Sequence, residues 1–221
     1  MPISKITFLD CVVEAIYNPK LKHSYIQIDA HNTIRIKTPF RSKNFVLSLL
    51  EDKKDWILKQ INKNRQKTRL SIVLGEEILL FGNSYNIGNS EIAASLYAKL
   101  QRAHLYSPEK TIKLYDNFYK ELAKEYLAEE LELYASRMQL SFSEFKVRKM
   151  RRRWGSCSSR GVLTFNTELM KLNKEMITYV VVHELAHLQY MNHSKAFHEL
   201  VRKTLPDADS IRKNLQNIQI I

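Results

Sequence analysis

The sequence predicts an α+β protein with a small β-rich N-terminal region that includes a helix and a more helical C-terminal region. Two observations predict this class. Before residue 107, short stretches alternate apolar and polar residues, as strands with one buried face do. After residue 107, long stretches rich in Leu, Ala, Glu and Lys place apolar residues at helical spacing. We therefore predict two regions, residues 1–106 and 107–221.

The first predicted elements are a hairpin and a helix. From Tyr25 to Pro39 the residues alternate on either side of an Asp-Ala-His-Asn turn, which is typical of two antiparallel strands. From Lys43 to Lys67, apolar residues at helical spacing predict one amphipathic helix with a basic C-terminal end. Three further short strands are expected, at Glu77–Phe81, Ser84–Ile87 and Ala94–Tyr106.

The C-terminal region begins with Ser107-Pro108-Glu109, a sequence typical of a helix start, and a long helix is predicted from Thr111 to Met138. Two strands are predicted on either side of the turn-rich segment GSCSSRG, at Phe145–Met150 and Val162–Phe165. A second long helix is predicted from Lys174 to near Met191. A third helix is expected to begin near Ser194.

The cysteines and the apolar stretches indicate a cytoplasmic protein. Two cysteines, Cys11 and Cys157, are too few and too far apart for a disulfide framework, so a reducing compartment fits. The N-terminal residues mix charged with apolar side chains, unlike a signal peptide. The apolar stretch from Met176 to Val182 is far shorter than the roughly 20 residues that cross a bilayer, so no membrane contact is expected.

The net charge of +12 is concentrated in two segments. Residues 59–69 carry five basic residues and no acidic one, and residues 146–153 carry six basic residues in eight positions. Such segments can meet phosphates, acidic polypeptides or anionic lipids, or can remain solvated faces that aid solubility. We expect at most a weak, non-specific contact with nucleic acid.

The segment from His183 to His187 reads His-Glu-Leu-Ala-His within a strongly helical context. At about 100° per residue, the two histidines lie roughly 40° apart on one helix face, so that both rings reach one cation. Zinc favours imidazole nitrogen, and Glu184 projects beside the cation, where it accepts a proton from zinc-bound water. Alternatively, these are ordinary polar residues of a helix. The apolar residues from Tyr179 to Val182 count against that alternative, because they predict a buried helix.

A third metal ligand is predicted at His193, six residues after His187, where the metzincin pattern has its last histidine. Tyr190 stands where that pattern has glycine, so we expect Asn192 to provide a left-handed turn. Two other residues after the helix are alternative ligands, His198 and Glu199, although both are expected a turn further along the next helix.

The segment MRRRWGSCSSRGVLTFNTELMKLNKEMITYVVVHELAHLQYMNHSKAF resembles the signature of the YgjP-like metallopeptidase family, a relative of the WLM and SprT-like zincins. The resemblance covers residues 150–206, and the hairpin followed by EDKKDWILKQINK is similar to the family's leading region. It implies a zincin-like C-terminal domain, zinc as cofactor and Glu184 as catalytic acid and base. It also implies three ligands, His183, His187 and His193. In one departure, His198 stands where the family usually has tryptophan.

By analogy with zincins, the strand from Val162 to Asn166 is expected to pair with an extended substrate beside the active-site helix. Four residues are then candidates for substrate binding, namely Arg153, Trp154, Ser156 and Asn166. The alternative interpretation is a buried tryptophan anchor and a hydrogen-bonded turn. Cys157 lacks an evident acid or base partner and is expected to be structural.

The leading hypothesis is a zinc peptidase that cleaves extended or unfolded polypeptide. A second hypothesis is metal-dependent hydrolysis of nucleotides or other phosphoanhydrides, because Arg151, Arg152 and Arg153 are able to clamp phosphate. A third is a nucleic-acid-associated module with structural zinc, which the intact Glu184 disfavours.

Overall fold

A computed structural model describes residues 2–29, 31–102 and 107–220, with only the backbone of residues 2–5. The described chain divides after Thr68 into two compact units. Residues 103–106, which directly precede the predicted boundary, are outside the described part of the chain, so the boundary stays a prediction. Both units combine strands with helices, in agreement with the predicted mixture of α and β structure.

The first unit is built on a four-stranded sheet. Its strands in chain order are β1 (Pro2–Phe8), β2 (Cys11–Tyr17), β3 (Tyr25–Ile28) and β4 (Ile34–Thr38). Across the sheet the order is β1-β2-β4-β3, with β2 and β4 parallel and the other pairs antiparallel. The predicted hairpin is confirmed as β3 and β4. The hairpin of β1 and β2 was not predicted, because its turn residues Leu9 and Asp10 take positive φ angles without a glycine.

Two helices provide the rest of this unit's core, α1 (Lys43–Asp52) and α2 (Lys54–Arg65). Their buried residues join the inward residues of the sheet, and they are Val46, Leu50, Ile57 and Ile61. The prediction of one continuous helix is wrong, because Lys53 leaves the helical conformation with φ −107° and ψ 12°. Since the apolar spacing continues across Lys53, the pattern alone does not show the break.

Short elements follow the strand β5 (Thr68–Arg69). The strands β6 (Glu77–Leu80) and β7 (Asn83–Asn86) confirm the two strands predicted here and pair as an antiparallel hairpin, in which Phe81 and Gly82 turn at φ 49° and 84°. The predicted strand from Ala94 to Tyr106 is wrong where the chain is described, because residues 94–102 form the helix α3 (Ala94–Arg102). Helix-favouring residues fill this segment, and Leu96 and Leu100 bury one helical face.

The long helix α4 (Pro108–Met138) confirms the prediction for this segment. Two of its tyrosines hold the β6–β7 hairpin through their hydroxyl groups. The hydroxyl of Tyr115 accepts from the Gly75 amide at 2.7 Å, and that of Tyr119 accepts from the Leu79 amide at 3.1 Å. Their burial in the main core of the second unit makes α4 the support for the shorter elements.

A three-stranded sheet carries the segment that was predicted to meet substrate. Its strands are β8 (Glu144–Arg148), β9 (Gly155–Cys157) and β10 (Val162–Asn166). The order across the sheet is β8-β10-β9, with β10 parallel to β8 and antiparallel to β9. The prediction that Val162–Asn166 is an edge strand open to substrate is therefore wrong. The edge strands are β8 and β9, and β9 lies in the segment that was read as a turn.

The C-terminal part contains three helices and a short strand, which are α5 (Lys174–Ala186), α6 (Lys195–Thr204), α7 (Ala208–Gln216) and β11 (Ile218–Gln219). The helix α5 ends five residues before the predicted Met191, whereas the predicted helix start near Ser194 is confirmed. Elements on several sides pack against α5, namely α4, α6, α7 and β9. No helix within the described ranges is both long and apolar enough to span a membrane.

Candidate metal centre

His183 lies in the last turn of α5, and His187 caps the C-terminal end of this helix. The side chain of Asn173 caps the start of the helix by accepting from the Met176 amide at 2.9 Å. Apolar residues from Ile177 to Ala186 bury most of the helix, while His183 and His187 are half-buried. Both histidines therefore come from a helix that core packing fixes in place.

The third histidine lies immediately before α6. Ser194 caps that helix by accepting from the Phe197 amide at 3.3 Å, which places His193 at the point where the chain turns back. The turn itself begins with the amides of Gln189 and Tyr190, which both donate to the carbonyl of Ala186. The predicted left-handed residue at Asn192 is wrong, because residues 188–193 all have negative φ angles.

The three histidines converge. One ring nitrogen from each lies within 4.8 Å of the others. The Nε2 atoms of His183 and His193 are 3.1 Å apart. Zinc–nitrogen bonds of about 2.0–2.1 Å in a tetrahedral site place two ligand nitrogens about 3.3 Å apart. The 3.1 Å separation of this pair thus fits a shared zinc ion.

The second nitrogen of each α5 histidine has a partner of its own. Nδ1 of His187 lies 2.9 Å from the carbonyl oxygen of Tyr190. Since a carbonyl only accepts, this Nδ1 carries the proton and Nε2 keeps its lone pair. Nδ1 of His183 lies 3.4 Å from the hydroxyl of Tyr179. Such partners on the far nitrogen are typical of histidines that bind a metal.

The surroundings of His183 and His193 keep these two rings neutral. Burial, followed by the neighbouring His187 and His193, lowers the pKa of His183 to about 3. The pKa of His193 is lowered as well, by burial first and then by His187 and His198. Because only a neutral imidazole offers a lone pair, this environment favours metal binding over protonation.

The ring of Phe197 forms an apolar wall against all three imidazoles. Its centroid lies 4.9 Å from that of His183, 4.6 Å from that of His187 and 4.9 Å from that of His193. Phe197 itself is completely buried on α6. A wall of this kind restricts the rings to one arrangement and excludes water from that side.

Glu184 lies in a confined position beside β9. Its residue is 6% exposed, and a Cβ atom on Gly155 would come within 2.6 Å of its Cγ and 2.7 Å of its Oε1. The glycine thus makes room for the carboxylate. Burial raises the pKa of Glu184 to about 8, although the positive charge of Arg153 opposes this rise. A cation held by the histidines would favour the charged carboxylate.

The residues at this site fit a zinc ion. Three ring nitrogens converge, two of them at the separation that zinc requires, and the buried carboxyl group of Glu184 adjoins His183 in the chain. Three protein ligands leave a coordination position open, as in catalytic rather than structural zinc sites.

The predicted substrate-binding residues lie in different environments. Arg153 is exposed, whereas Trp154 is partly buried against the core and Ser156 is half-buried in β9. Asn166 is completely buried, and its amide donates to the carbonyl oxygens of Met150 at 2.7 Å and Arg153 at 2.9 Å. It has no exposed surface to offer a substrate. Its environment matches the alternative interpretation of a hydrogen-bonded turn.

The alternative third ligands lie outside the cluster of three nitrogens. The ring of His198 stacks on that of His193 with centroids 6.2 Å apart. Glu199 is exposed and lies 3.8 Å from Lys195. Cys157 is half-buried in β9, where burial and then the nearby Glu184 raise the pKa of its thiol, so it is a poor nucleophile.

Sequence reasoning missed four residues around the histidines. They are Gly155, Tyr179, the carbonyl group of Tyr190 and the ring of Phe197 as a wall. Only Gly155 carries a signal in the sequence, because a glycine inside a strand often marks a close approach. The others depend on contacts that spacing does not reveal.

This chain is similar to a known protein family and to solved structures. The family model of the YgjP-like metallopeptidase domain matches residues 22–218 of this chain. The metallopeptidase zymogen abylysin of Pyrococcus abyssi is 22% identical with a TM-score of 0.39, covering 43% of this chain and 99% of that chain. The metallopeptidase zymogen jannalysin of Methanocaldococcus jannaschii is 19% identical with a TM-score of 0.37, covering 40% and 92%. No curated protein sequence matches the chain significantly.

Proposed function

Because this chain belongs to the YgjP-like metallopeptidase family and is a metallopeptidase, we propose that it is a zinc peptidase that cleaves extended or unfolded polypeptide. One observation carries the proposal, the convergence of three histidine nitrogens within 4.8 Å. We assign His183, His187 and His193 as the ligands and Glu184 as the catalytic residue. The C-terminal helices and the β8–β10 sheet are accordingly proposed to form a zincin-like domain.

In this mechanism zinc supplies a Lewis acid that polarises a carbonyl group and makes water easier to deprotonate. Glu184 moves the proton. Its carboxylate takes a proton from the attacking water and passes it to the nitrogen of the departing amine. Its burial beside Gly155 holds the carboxylate in one position and limits competing contacts with water. The ring of Phe197 excludes water from the side of the imidazoles that it contacts.

The edge of the small sheet supports an extended substrate. Within the described residues, β9 pairs with β10 on one side and stands last in the order of the sheet. An extended peptide is able to add to such an edge through main-chain hydrogen bonds. Gly155 in β9 contacts Glu184, so a peptide on this edge would run beside the carboxylate. Peptide recognition is thus assigned to β9 rather than to β10.

One observation favours a second reaction, the hydrolysis of a phosphoanhydride. The positive charge of Arg153 acts on Glu184, and the backbone of Arg153 is held by Asn166 at 2.9 Å. A guanidinium group in that place is suited to phosphate oxygens as well as to carboxylates.

A paired assay tests which reaction the protein catalyses. The zinc-loaded protein is incubated in parallel with an unfolded protein and with nucleoside triphosphates, and new amino termini and pyrophosphate are measured. The proposal expects new amino termini in the first incubation. Release of pyrophosphate without peptide cleavage would replace it with phosphoanhydride hydrolysis.

A further inference from the structure

Tyr179 lies one helical turn before His183 on α5 and contacts it directly. Its hydroxyl oxygen is 3.4 Å from Nδ1 of His183, and the two ring centroids are 5.7 Å apart. Tyr179 is only 5% exposed and belongs to the main core of the second unit. The i, i+4 spacing on a buried helix keeps the hydroxyl beside this one nitrogen.

The orientation of His183 determines which of its two nitrogens faces the other histidines and which faces Tyr179. Its Nε2 faces Nε2 of His193 at 3.1 Å, so Nε2 is the nitrogen on the side of the three-histidine cluster. For Nε2 to offer a lone pair, a neutral ring must carry its proton on Nδ1. The hydroxyl of Tyr179 is the group placed to accept from that Nδ1–H.

The other α5 histidine provides the comparison within this chain. Nδ1 of His187 donates to the carbonyl oxygen of Tyr190 at 2.9 Å, which fixes its tautomer. His183 has a phenolic hydroxyl in the equivalent place. Both α5 histidines thus have an oxygen acceptor on the nitrogen that faces away from the cluster.

We propose that Tyr179 is a positioning residue that holds His183 in the tautomer able to bind metal through Nε2. This inference rests on the proposed function, because it concerns the affinity of the same zinc site. Partners of this type usually change metal affinity about 10- to 100-fold when they are removed. Tyr179→Phe keeps the buried ring and deletes only the hydroxyl, so its zinc affinity is expected to fall by a factor in that range.

The matched control is Tyr115→Phe. Tyr115 is also buried in the same core, at 3% exposure, and its hydroxyl accepts from the Gly75 amide at 2.7 Å. Its hydroxyl bonds to the backbone of Gly75 and Glu77, so deleting it is expected to lower the melting temperature and to leave zinc affinity unchanged. This control separates a loss of general stability from a loss of ligand orientation.

The experiment measures the zinc dissociation constant by competition with a chromophoric chelator, for wild type and both variants, together with thermal unfolding of the zinc-free proteins. The proposal expects weaker zinc binding in Tyr179→Phe alone. Equal affinity in wild type and Tyr179→Phe would overturn it, as would the same loss in Tyr115→Phe. A wild type that binds no zinc would instead remove the proposed function and this inference with it.

A second measurement needs no variant and therefore does not depend on how Tyr179→Phe folds. Nitrogen-15 NMR of the histidine rings in the zinc-loaded wild type reports which nitrogen carries a proton. The expected result is a protonated Nδ1 and a metal-bound Nε2 at His183. A protonated Nε2, or metal binding through Nδ1, would contradict the inference.

Discussion

The ring nitrogens of the three histidines decide whether one ion can be shared. Those of His183 and His193 face each other at 3.1 Å, while His187 has its Nδ1 engaged with a carbonyl and its Nε2 available. The result is a set of nitrogen donors whose three rings all contact Phe197. Each ring has few alternatives, because core packing and hydrogen bonds restrict its rotation.

The first prediction concerns the third ligand. His193→Ala removes a converging nitrogen, so zinc affinity is expected to fall by more than the roughly 100-fold limit of an outer partner. His198→Ala removes a ring that stacks on His193 at 6.2 Å, so it is expected to alter turnover more than zinc content. Zinc per chain is measured by elemental analysis after dialysis against a mild chelator. Full zinc retention in His193→Ala, with loss in His198→Ala, would reverse the assignment.

The candidate ligands were predictable at this scale because helix geometry converts a spacing of four residues into a shared face. His193 followed from spacing as well, although the turn that brings it back uses no left-handed residue. Gly155 and Phe197 come from other segments of the chain. Their places beside Glu184 and the imidazoles depend on tertiary packing, which a local pattern does not encode.

At the scale of elements, the strand β9 and the helix α5 contribute Gly155, His183 and Glu184 to the candidate site. They pack together, and the absence of a side chain at Gly155 allows the strand to approach Glu184. The sequence predicted α5 well, because its apolar residues are many and its capping residue Asn173 is typical. It did not predict β9, whose three residues are too few for a periodic signal and include a glycine.

A prediction follows for Gly155→Ala. The added Cβ would lie 2.6 Å from Cγ of Glu184, so the carboxylate must move while the histidines keep their places. Turnover is expected to fall by about 100-fold, since small displacements of a catalytic group cost this much, and zinc content should remain unchanged. Steady-state kinetics with zinc analysis measures both.

The control for that substitution is Gly88→Ala. Gly88 also has a negative φ, and its nearest neighbour would be Oδ1 of Asn86 at 3.3 Å, far from α5 in the chain. We expect its turnover to match that of wild type. Wild-type turnover in Gly155→Ala would show that the close approach to Glu184 has no part in catalysis.

At the scale of the whole molecule, the dominant feature is the net charge of +12. In α2, Lys59 and Lys63 are exposed on a segment that contains no acidic residue from 59 to 69. We propose that these side chains meet the phosphates of nucleic acid weakly and without sequence preference. The sequence is sufficient for this proposal, because charge depends on composition. The division after Thr68 was not predictable, since the basic segment of residues 59–69 continues across it without a change in composition.

Salt dependence provides the measurement. Replacing Lys59 and Lys63 by glutamine is expected to reduce the slope of log affinity against log salt by about 1.4 for single-stranded and about 1.8 for double-stranded nucleic acid. The control replaces Lys113 and Lys120, two exposed lysines of α4, by glutamine and makes the same change of charge. Fluorescence anisotropy with an oligonucleotide follows the binding. Equal slopes for both variants would show that binding depends on the net charge of the protein and not on Lys59 and Lys63 in particular. An affinity that does not change with salt concentration would contradict the proposal altogether.

The most direct test of the zinc peptidase proposal is Glu184→Gln at full zinc occupancy. Glutamine keeps the size of the buried side chain beside Gly155 but no longer accepts a proton, and the three histidines are untouched. Single-turnover hydrolysis of an unfolded protein is measured next to zinc content and the melting temperature. We expect one zinc per chain, an intact fold and a loss of hydrolysis of at least about 100-fold. Wild-type hydrolysis by the zinc-loaded variant would contradict it.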